Sequence, residues 1–323
     1  ENPNNYSSDP WYNGSVIAPR IDSTTDSPSS VDNIVTFTNS FNETVYYSFA
    51  GGYSSSGAAT GNIVNINGGT FSGDEQKICG AYSSSGNAND NIVNVNKIEF
   101  NGMIFGGYSY SGQSNGNIVN LGNDVNLKDA WLYGGLYDDY ATSTGNTLNI
   151  GYDEGVDDKI EGKTVTGYKS WTNGNSVHYI SKFQTINFKN LKWENEATVL
   201  KVNSGIELLD TTIGKISIIG GTVKKDEWMN LISVESGSDT TTRNTSGGTI
   251  KNITEGNTSA EIDVDVYHGT AQIITIDGEL TQDSNNVKLT IKDKDTSDGI
   301  VAKSPFEGTG DNEGTGEDKP ASK

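Results

Sequence analysis

The sequence is poor in the residues that enzyme and metal sites most often use. Among its 323 residues it has one cysteine, Cys79, and two histidines, His178 and His268. Cys79 therefore has no partner for an internal disulfide, and a Ser-His-acid triad is poorly supported. No CxxC, HExxH, phosphate-loop or dinucleotide-binding motif occurs. We therefore expect no catalytic residue, no metal site and no cofactor.

Basic residues and long apolar runs are also scarce. The 22 Lys and Arg residues face 42 Asp and Glu residues, for a net charge of −20. Binding of nucleic acid through a basic patch is therefore not expected. No run approaches the roughly 18 apolar residues that span a bilayer, so we expect no direct membrane insertion. The amino terminus has no basic segment followed by an apolar one, and we expect any signal and anchor to lie outside this sequence.

One pentad, Asn-Ile-Val-x-apolar, recurs along the first half of the chain. The strict copies and two looser ones begin at Asn33, Asn62, Asn91, Asn117, Asn146 and Asn175. The intervals between them are 29, 29, 26, 29 and 29 residues. A repeat of this length is typical of a solenoid.

Within each repeat, β-branched residues alternate with polar ones between turns of Gly, Ser and Asn. This pattern is typical of strands. Val64 and Ile66 alternate with Ile63 and Asn65, and the Val64 position stays apolar in every copy, so we expect Val64 to face the core. A Gly-Gly-Tyr turn precedes the pentad and a Gly-Gly-Thr-Phe motif can follow it. The sequence predicts an all-β fold, a single-stranded right-handed parallel β-helix with about 26–29 residues per coil.

The asparagines that open the pentad are predicted to stack at one corner of the coils. A buried amide without a partner costs about 1–3 kcal/mol, and stacking removes this cost because each amide donates to the next. Stacking also fixes the register of the strands. The predicted ladder consists of Asn62, Asn91, Asn117, Asn146 and Asn175, and the outward column that begins at Asn65 would end at His178.

Composition divides the chain into four parts. Residues 1–30 are polar, hold four of the six prolines, and are expected to cap the first coil. Residues 31–180 contain the regular repeats, and residues 181–293 keep strands in more divergent coils, with a separate β-sandwich from about Asp226 as the alternative. We expect roughly ten coils in all. Residues 294–323 are rich in Gly, Asp, Glu and Lys, and we expect a disordered acidic tail.

Aromatic residues suggest where a partner would bind. The fourth Gly-Gly turn departs from the repeat, and solenoids often place binding loops in such turns. Tyrosine and tryptophan beside carboxylates suit sugars or proteins, although the same residues could form an ordinary solvated turn. The predicted contact patch consists of Tyr137, Asp138, Asp139, Tyr140, Tyr152, Asp153 and Trp171. The regular tyrosine column, Tyr53, Tyr82 and Tyr108, is instead expected to close the hydrophobic interior.

The repeat unit GGYSSSGAATGNIVNINGGTFSG resembles the passenger repeats of autotransporter adhesins of Gram-negative anaerobes such as fusobacteria. The likeness covers residues 31–150. It implies a secreted β-helix at the bacterial cell surface that attaches, without a cofactor, to a host-cell or bacterial surface protein or glycan. Two alternatives remain at this point: a polysaccharide-cleaving enzyme with paired carboxylates such as Asp138 and Asp139, and a passive stalk.

Overall fold

The computed structural model shows stacked parallel coils that form a β-solenoid of about 6 turns. It describes residues 16–17, 20–21, 29–38, 44–45, 48–71, 76–135, 143–152, 170–208, 210–235, 249–268, 272–293 and 296–303. These ranges contain strands and no α-helix. The predicted all-β solenoid is therefore confirmed. The number of turns is smaller than expected, partly because the last strands close the end of the solenoid instead of adding coils.

Most strands are short, since each coil changes direction at turns rich in Gly, Ser and Asn. In chain order the strands are β1 (Val16–Ile17), β2 (Arg20–Ile21), β3 (Ser30–Val31), β4 (Ile34–Thr38), β5 (Thr44–Val45), β6 (Phe49–Ala50), β7 (Tyr53–Ser54), β8 (Ala59–Thr60), β9 (Ile63–Phe71), β10 (Lys77–Cys79), β11 (Tyr82–Ser83), β12 (Ile92–Glu99), β13 (Met103–Phe105), β14 (Tyr108–Ser109), β15 (Ile118–Gly122), β16 (Trp131–Tyr133), β17 (Thr147–Tyr152), β18 (Asn175–Ser181), β19 (Thr185–Lys192), β20 (Thr198–Ile206), β21 (Thr212–Val223), β22 (Trp228–Val234), β23 (Ser259–Tyr267), β24 (Ile273–Gln282), β25 (Asn286–Ile291) and β26 (Ile300–Ala302).

Two columns of parallel strands form the body of the solenoid. The front sheet contains the pentad strands and stacks β4, β9, β12, β15, β17, β19, β21 and β23. The back sheet stacks β1, β6, β10, β13, β16, β18, β20 and β22. A short corner sheet of β2, β7, β11 and β14 flanks the back sheet. Equivalent residues lie over one another, as where Ile63 pairs with Ile92 and Ile92 with Ile118.

The hydrophobic core lies between the front and back sheets. Alternation along each strand turns every second side chain inward, and Val64 and Ile66 of β9 are fully buried. From the back sheet, Ile104 and Leu132 enter the same cluster. One or two inward residues per strand are enough to fill so narrow an interior, so the low hydrophobic content of 33% is compatible with a continuous core.

Antiparallel strands close the carboxyl-terminal end of the solenoid. β24 pairs with β23 of the front sheet, β25 pairs with β24, and β25 also pairs with β22 of the back sheet. β26 lies antiparallel to β21. The front and back sheets thus become one sheet that wraps around the end. This arrangement satisfies strand edges that would otherwise be open to pairing with another chain.

A buried asparagine ladder connects the coils at the corner before the front sheet. The backbone N–H of Asn62 donates to Asn91 Oδ1 at 2.9 Å, and that of Asn91 donates to Asn117 Oδ1 at 3.0 Å. Asn117 donates in the same way to Asn146 at 2.8 Å. The side-chain amides of these residues donate along the same direction. All four asparagines are fully buried, so neighbouring coils supply their hydrogen-bond partners.

The prediction for Asn175 is wrong, because the ladder continues through Gln184. The N–H of Asn146 donates to Gln184 Oε1 at 2.9 Å, across 38 residues instead of 29. Asn175 begins β18 of the back sheet and pairs with Leu200. His178 is likewise absent from the outward column, where Asn187 pairs with Asn149. A longer coil between these repeats moves the pentad-like sequence at Asn175 into the other sheet.

The first prediction tests the buried ladder with Asn91→Ala. The substitution removes the acceptor for the Asn62 N–H and the donors to Asn117 Oδ1 and Ala59 O, both at 3.1 Å. Water does not reach these groups, so we expect the free energy of unfolding in urea to fall by about 2–4 kcal/mol. Asn94→Ala, in the partly exposed outward row of the same strand, is the control and should cost about 0.5–1 kcal/mol. Equal losses would contradict the distinction between the two rows.

The second prediction concerns the close contact between coils at Gly80. A Cβ atom here would lie 2.7 Å from Asn91 Cβ and would contact the carbonyl oxygen of Gly106 in the next coil. We expect Gly80→Ala to lower stability by about 1–3 kcal/mol, because backbone atoms must move apart. Gly205→Ala is the matched control, since its Cβ would lie 3.4 Å from the Tyr179 ring, an ordinary contact. Thermal melts that shift equally for both variants would show that the coils can separate at Gly80 without cost.

Candidate binding surface

Most of the contact patch predicted from the sequence lies outside the described residues. This applies to Tyr137, Asp138, Asp139, Tyr140 and Asp153. Of the remaining two residues, Tyr152 ends β17 and is half-buried, with Lys189 Nζ 5.4 Å from the centre of its ring.

The prediction that Trp171 belongs to a contact surface is wrong. Its side chain is 1% exposed and is part of the main core. Trp171 forms a parallel bridge with Leu191 of the front sheet, and its indole Nε1 donates to the carbonyl oxygen of Val199 in the back sheet at 3.0 Å. The indole therefore fills the space between the two sheets, and its one polar group is satisfied there.

The structure gathers a different set of aromatic residues on the outer face of the back sheet. Ile104 of β13 and Leu132 of β16 point into the core, so their neighbours in the strand point outward. We define the aromatic surface as Met103, Tyr108, Trp131, Tyr133, His178 and Tyr179. Of these, Met103, Tyr108, Trp131, His178 and Tyr179 are partly exposed and Tyr133 is nearly buried.

The rings of the aromatic surface lie against one another. Trp131 and His178 have ring centroids 4.3 Å apart, and Trp131 and Tyr179 are 5.6 Å apart. Tyr133 lies 6.3 Å from Trp131 and 6.1 Å from Tyr179. The strand has a bulge between Val177 and Tyr179. Because a bulge interrupts the alternation of side chains, His178 and Tyr179 can both point outward after the buried Val177. The rings therefore support one another in a continuous patch.

The regular tyrosine column lies on the corner strands β7, β11 and β14, beside this outer face. Tyr53, Tyr82 and Tyr108 stack with centroids 5.3 and 5.1 Å apart. They pack in a second cluster, separate from the main core, that also contains Cys79 and Phe105. Tyr53 and Tyr82 are buried, 5% and 8% exposed, so the expected closing role is confirmed for this second cluster and not for the main core. They cover the outward side chains of the back sheet where the corner strands meet it.

The sequence contains a signal for this surface that the repeat analysis missed. The segments before the Gly-Gly turns read Met-Ile-Phe and Trp-Leu-Tyr, with large apolar side chains on both faces of a very short strand. Because alternate residues of a strand point to opposite sides, such a segment must place large apolar side chains outside the core. In the pentad strands the outward side chains are mainly Ile and Asn, so the alternation there reveals no aromatic face.

Described carboxyl groups with shifted pKa values are stabilised in their charged form. Hydrogen bonds from Lys192 and Asn173 lower the pKa of Glu194, and a hydrogen bond from Lys292 lowers that of Glu279. For Asp283, burial raises the pKa, but hydrogen bonds from the turn that follows outweigh this effect and the net shift is downward. A general acid at neutral pH needs the opposite shift. These three groups therefore lack the property that acid catalysis requires.

No part of the chain that the structure describes brings together three or more His, Cys, Asp or Glu side chains that could hold a metal ion. His268, near the end of the solenoid, has its Nδ1 2.8 Å from the carbonyl oxygen of Val301, which gives this ring a partner within the fold. The described residues also include no helix long and apolar enough to cross a membrane.

A small cavity lies at the carboxyl-terminal end, between the back sheet and the turn from β24 to β25. Its volume is about 140 Å³, and Ile206, Ile232 and Val287 contribute to its apolar wall. Sites for small organic ligands usually enclose about 300–1,000 Å³. At its rim, Asp283 accepts hydrogen bonds from the N–H groups of Asn285 and Asn286, which holds the turn together. This cavity is too small to be favoured over the aromatic surface.

No protein-family model, curated protein or solved structure matches this chain.

The third prediction concerns the only cysteine of the sequence. Cys79 is fully buried, and burial raises the pKa of its thiol well above the usual range, so the reactive thiolate is disfavoured. We expect an aromatic disulfide reagent at neutral pH to label the folded chain at least about a hundredfold more slowly than the chain in urea. The rate is measured by absorbance of the released thiol. Labelling of the folded chain at the denatured rate would contradict the packing of this cluster.

Proposed function

We propose that this chain is an adhesive binding protein displayed at a bacterial cell surface, and that the aromatic surface is its contact with a partner protein. The observation that carries the proposal is the outward placement of Trp131, Tyr179 and Met103 on a rigid sheet. The resemblance of the repeats to autotransporter adhesins supports display outside the cell.

The geometry of the rings favours a protein partner over a sugar at this site. Within the aromatic surface, Trp131 is tilted by 35° to His178 and by 48° to Tyr179, so the rings present edges as well as faces and form no single flat platform for a sugar ring. Ring edges pack well against aromatic and apolar side chains of another protein. Tryptophan and tyrosine are also the residues that most often dominate the binding energy of protein interfaces.

A rigid solenoid is well suited to this role. The rings stand on strands whose register is fixed by the coils on both sides, so little side-chain and backbone entropy is lost on binding. The net charge of −20 favours a partner with a basic surface, because long-range attraction raises the association rate.

The fourth prediction tests the aromatic surface with the double substitution Trp131→Ser and Tyr179→Ser. Both side chains are partly exposed on the outer face, so the fold should be retained. We expect binding of the labelled chain to target cells, measured by flow cytometry, to weaken at least about tenfold, since each hot-spot aromatic residue contributes about 2 kcal/mol or more. Protease treatment of the cells should abolish binding by the unaltered chain.

Ile273→Ser provides the matched control, because Ile273 is an exposed apolar residue, 54% accessible, at the far end of the solenoid. It should bind cells as the unaltered chain does. If the double variant keeps both its thermal melt and its full binding, the aromatic surface is not the contact. If the unaltered chain attaches to no cell, the chain serves as a spacer and the proposal fails.

A further inference from the structure

The outer face of the front sheet, on the opposite side of the solenoid, carries two regular rows of uncharged side chains. We call these two rows the amide face. The first row contains Ile34, Ile63, Ile92, Ile118, Thr147, Thr185 and Thr212, and the second contains Thr36, Asn65, Asn94, Asn120, Asn149 and Asn187. A neutral stripe of this length is unexpected on a chain of net charge −20.

The second row is itself a hydrogen-bonded ladder. Asn94 Nδ2 donates to Asn65 Oδ1 at 2.7 Å, and Asn120 Nδ2 donates to Asn94 Oδ1 at 2.6 Å. The same contact links Asn149 to Asn120 and Asn187 to Asn149, each at 2.7 Å. A primary amide has two N–H donors and an oxygen with two lone pairs. Each asparagine inside the ladder uses one N–H group and one lone pair for its two ladder bonds. Asn65 and Asn94 thus keep one donor and one acceptor beyond the ladder.

Accessibility defines the part of the amide face that a ligand can reach. Ile34 is 67% exposed, and Ile63, Asn65, Ile92 and Asn94 are partly exposed. Asn120 and Asn149 are only 5% and 7% exposed. The amides are therefore open to a ligand on β9 and β12 and again at Asn187 of β19, whereas the isoleucine and threonine row stays partly exposed as far as Thr212.

The dimensions of the amide face suit a ligand that is long and one chain wide. The row from Ile34 to Thr212 crosses six strand spacings, or about 29 Å, and the two rows together are about 10 Å wide. This gives roughly 300 Å², well below the roughly 800 Å² per partner that a stable protein interface buries. A globular partner or a second copy of this chain would gain too little from this face alone.

We propose that the amide face binds a single extended chain of a neutral polysaccharide that lies along the solenoid axis. The apolar C–H face of each sugar ring would lie on the isoleucine and threonine row, and its hydroxyl groups would bond to the asparagine amides. The strand spacing of about 4.8 Å is close to the length of one sugar ring in an extended chain, so the contact repeats from coil to coil. The overall negative charge repels acidic polysaccharides. This site is separate from the aromatic surface and does not depend on the function proposed there.

The fifth prediction tests this proposal by sedimentation of the protein with insoluble cellulose and chitin, with polygalacturonate immobilised on beads as the acidic comparison. The unaltered chain should bind at least one of the two neutral polymers, equally in low and high salt, and should not bind polygalacturonate. The triple variant Ile63→Thr, Ile92→Thr, Ile118→Thr should bind at least tenfold more weakly. Threonine already occupies this row at Thr147 and Thr185, so the fold should tolerate it.

A second variant keeps the test decisive if the triple variant is unstable. Thr147→Ile extends the apolar row by one coil and should tighten binding about threefold. Ile273→Thr, at the closed end, is the control and should change nothing. The proposal is overturned if the unaltered chain binds neither polymer, or if a folded triple variant binds at full strength. It is also overturned if Trp131→Ser with Tyr179→Ser removes polysaccharide binding, since that result would locate the sugar at the aromatic surface.

Discussion

A buried amide must be hydrogen-bonded, and in this solenoid the partners of each ladder asparagine are supplied by the neighbouring coils. Asn91 receives from Asn62 and donates to Asn117, so a shift of one coil by one residue would leave several buried groups without partners. The ladder therefore specifies the register that valine and isoleucine alone would leave undetermined. The front sheet, the narrow core and both outer faces follow from that register, because it decides which side chains stack on which.

How far the sequence predicts this arrangement depends on the constancy of coil length. Between Asn62 and Asn146 the repeat varies by three residues at most, so simple counting places the right residues over one another. The next ladder position is Gln184, 38 residues after Asn146, and glutamine supplies the same amide from a longer side chain. Counting by 29 instead reaches Asn175, which also begins a strand, but in the back sheet. A repeat gives no information about a coil whose length has changed.

The candidate site was harder to predict, because inward and outward aromatic residues look alike in a sequence. Trp171 lies in an irregular stretch, where no alternation of residues shows which way its side chain points. In the structure this side chain fills the core. Trp131 has the same chemistry but precedes Leu132, whose burial turns Trp131 outward. Regular strands therefore carry directional information that turns lack. The two outer faces of the solenoid consequently differ: the back sheet carries aromatic side chains and the front sheet carries amides, although both sheets pack on the same core.

The antiparallel closure at the carboxyl-terminal end has a mechanical consequence. In an open solenoid the last coil contacts one neighbour, so a pulling force can peel coils away one at a time. Here β25 is bonded to β22 of the back sheet and β24 is bonded to β23 of the front sheet. A load applied from that end meets both sheets at once and must break several strand pairings together. Such an end acts as a clamp, and the load at which the solenoid begins to unravel from it is set by the clamp and not by a single coil.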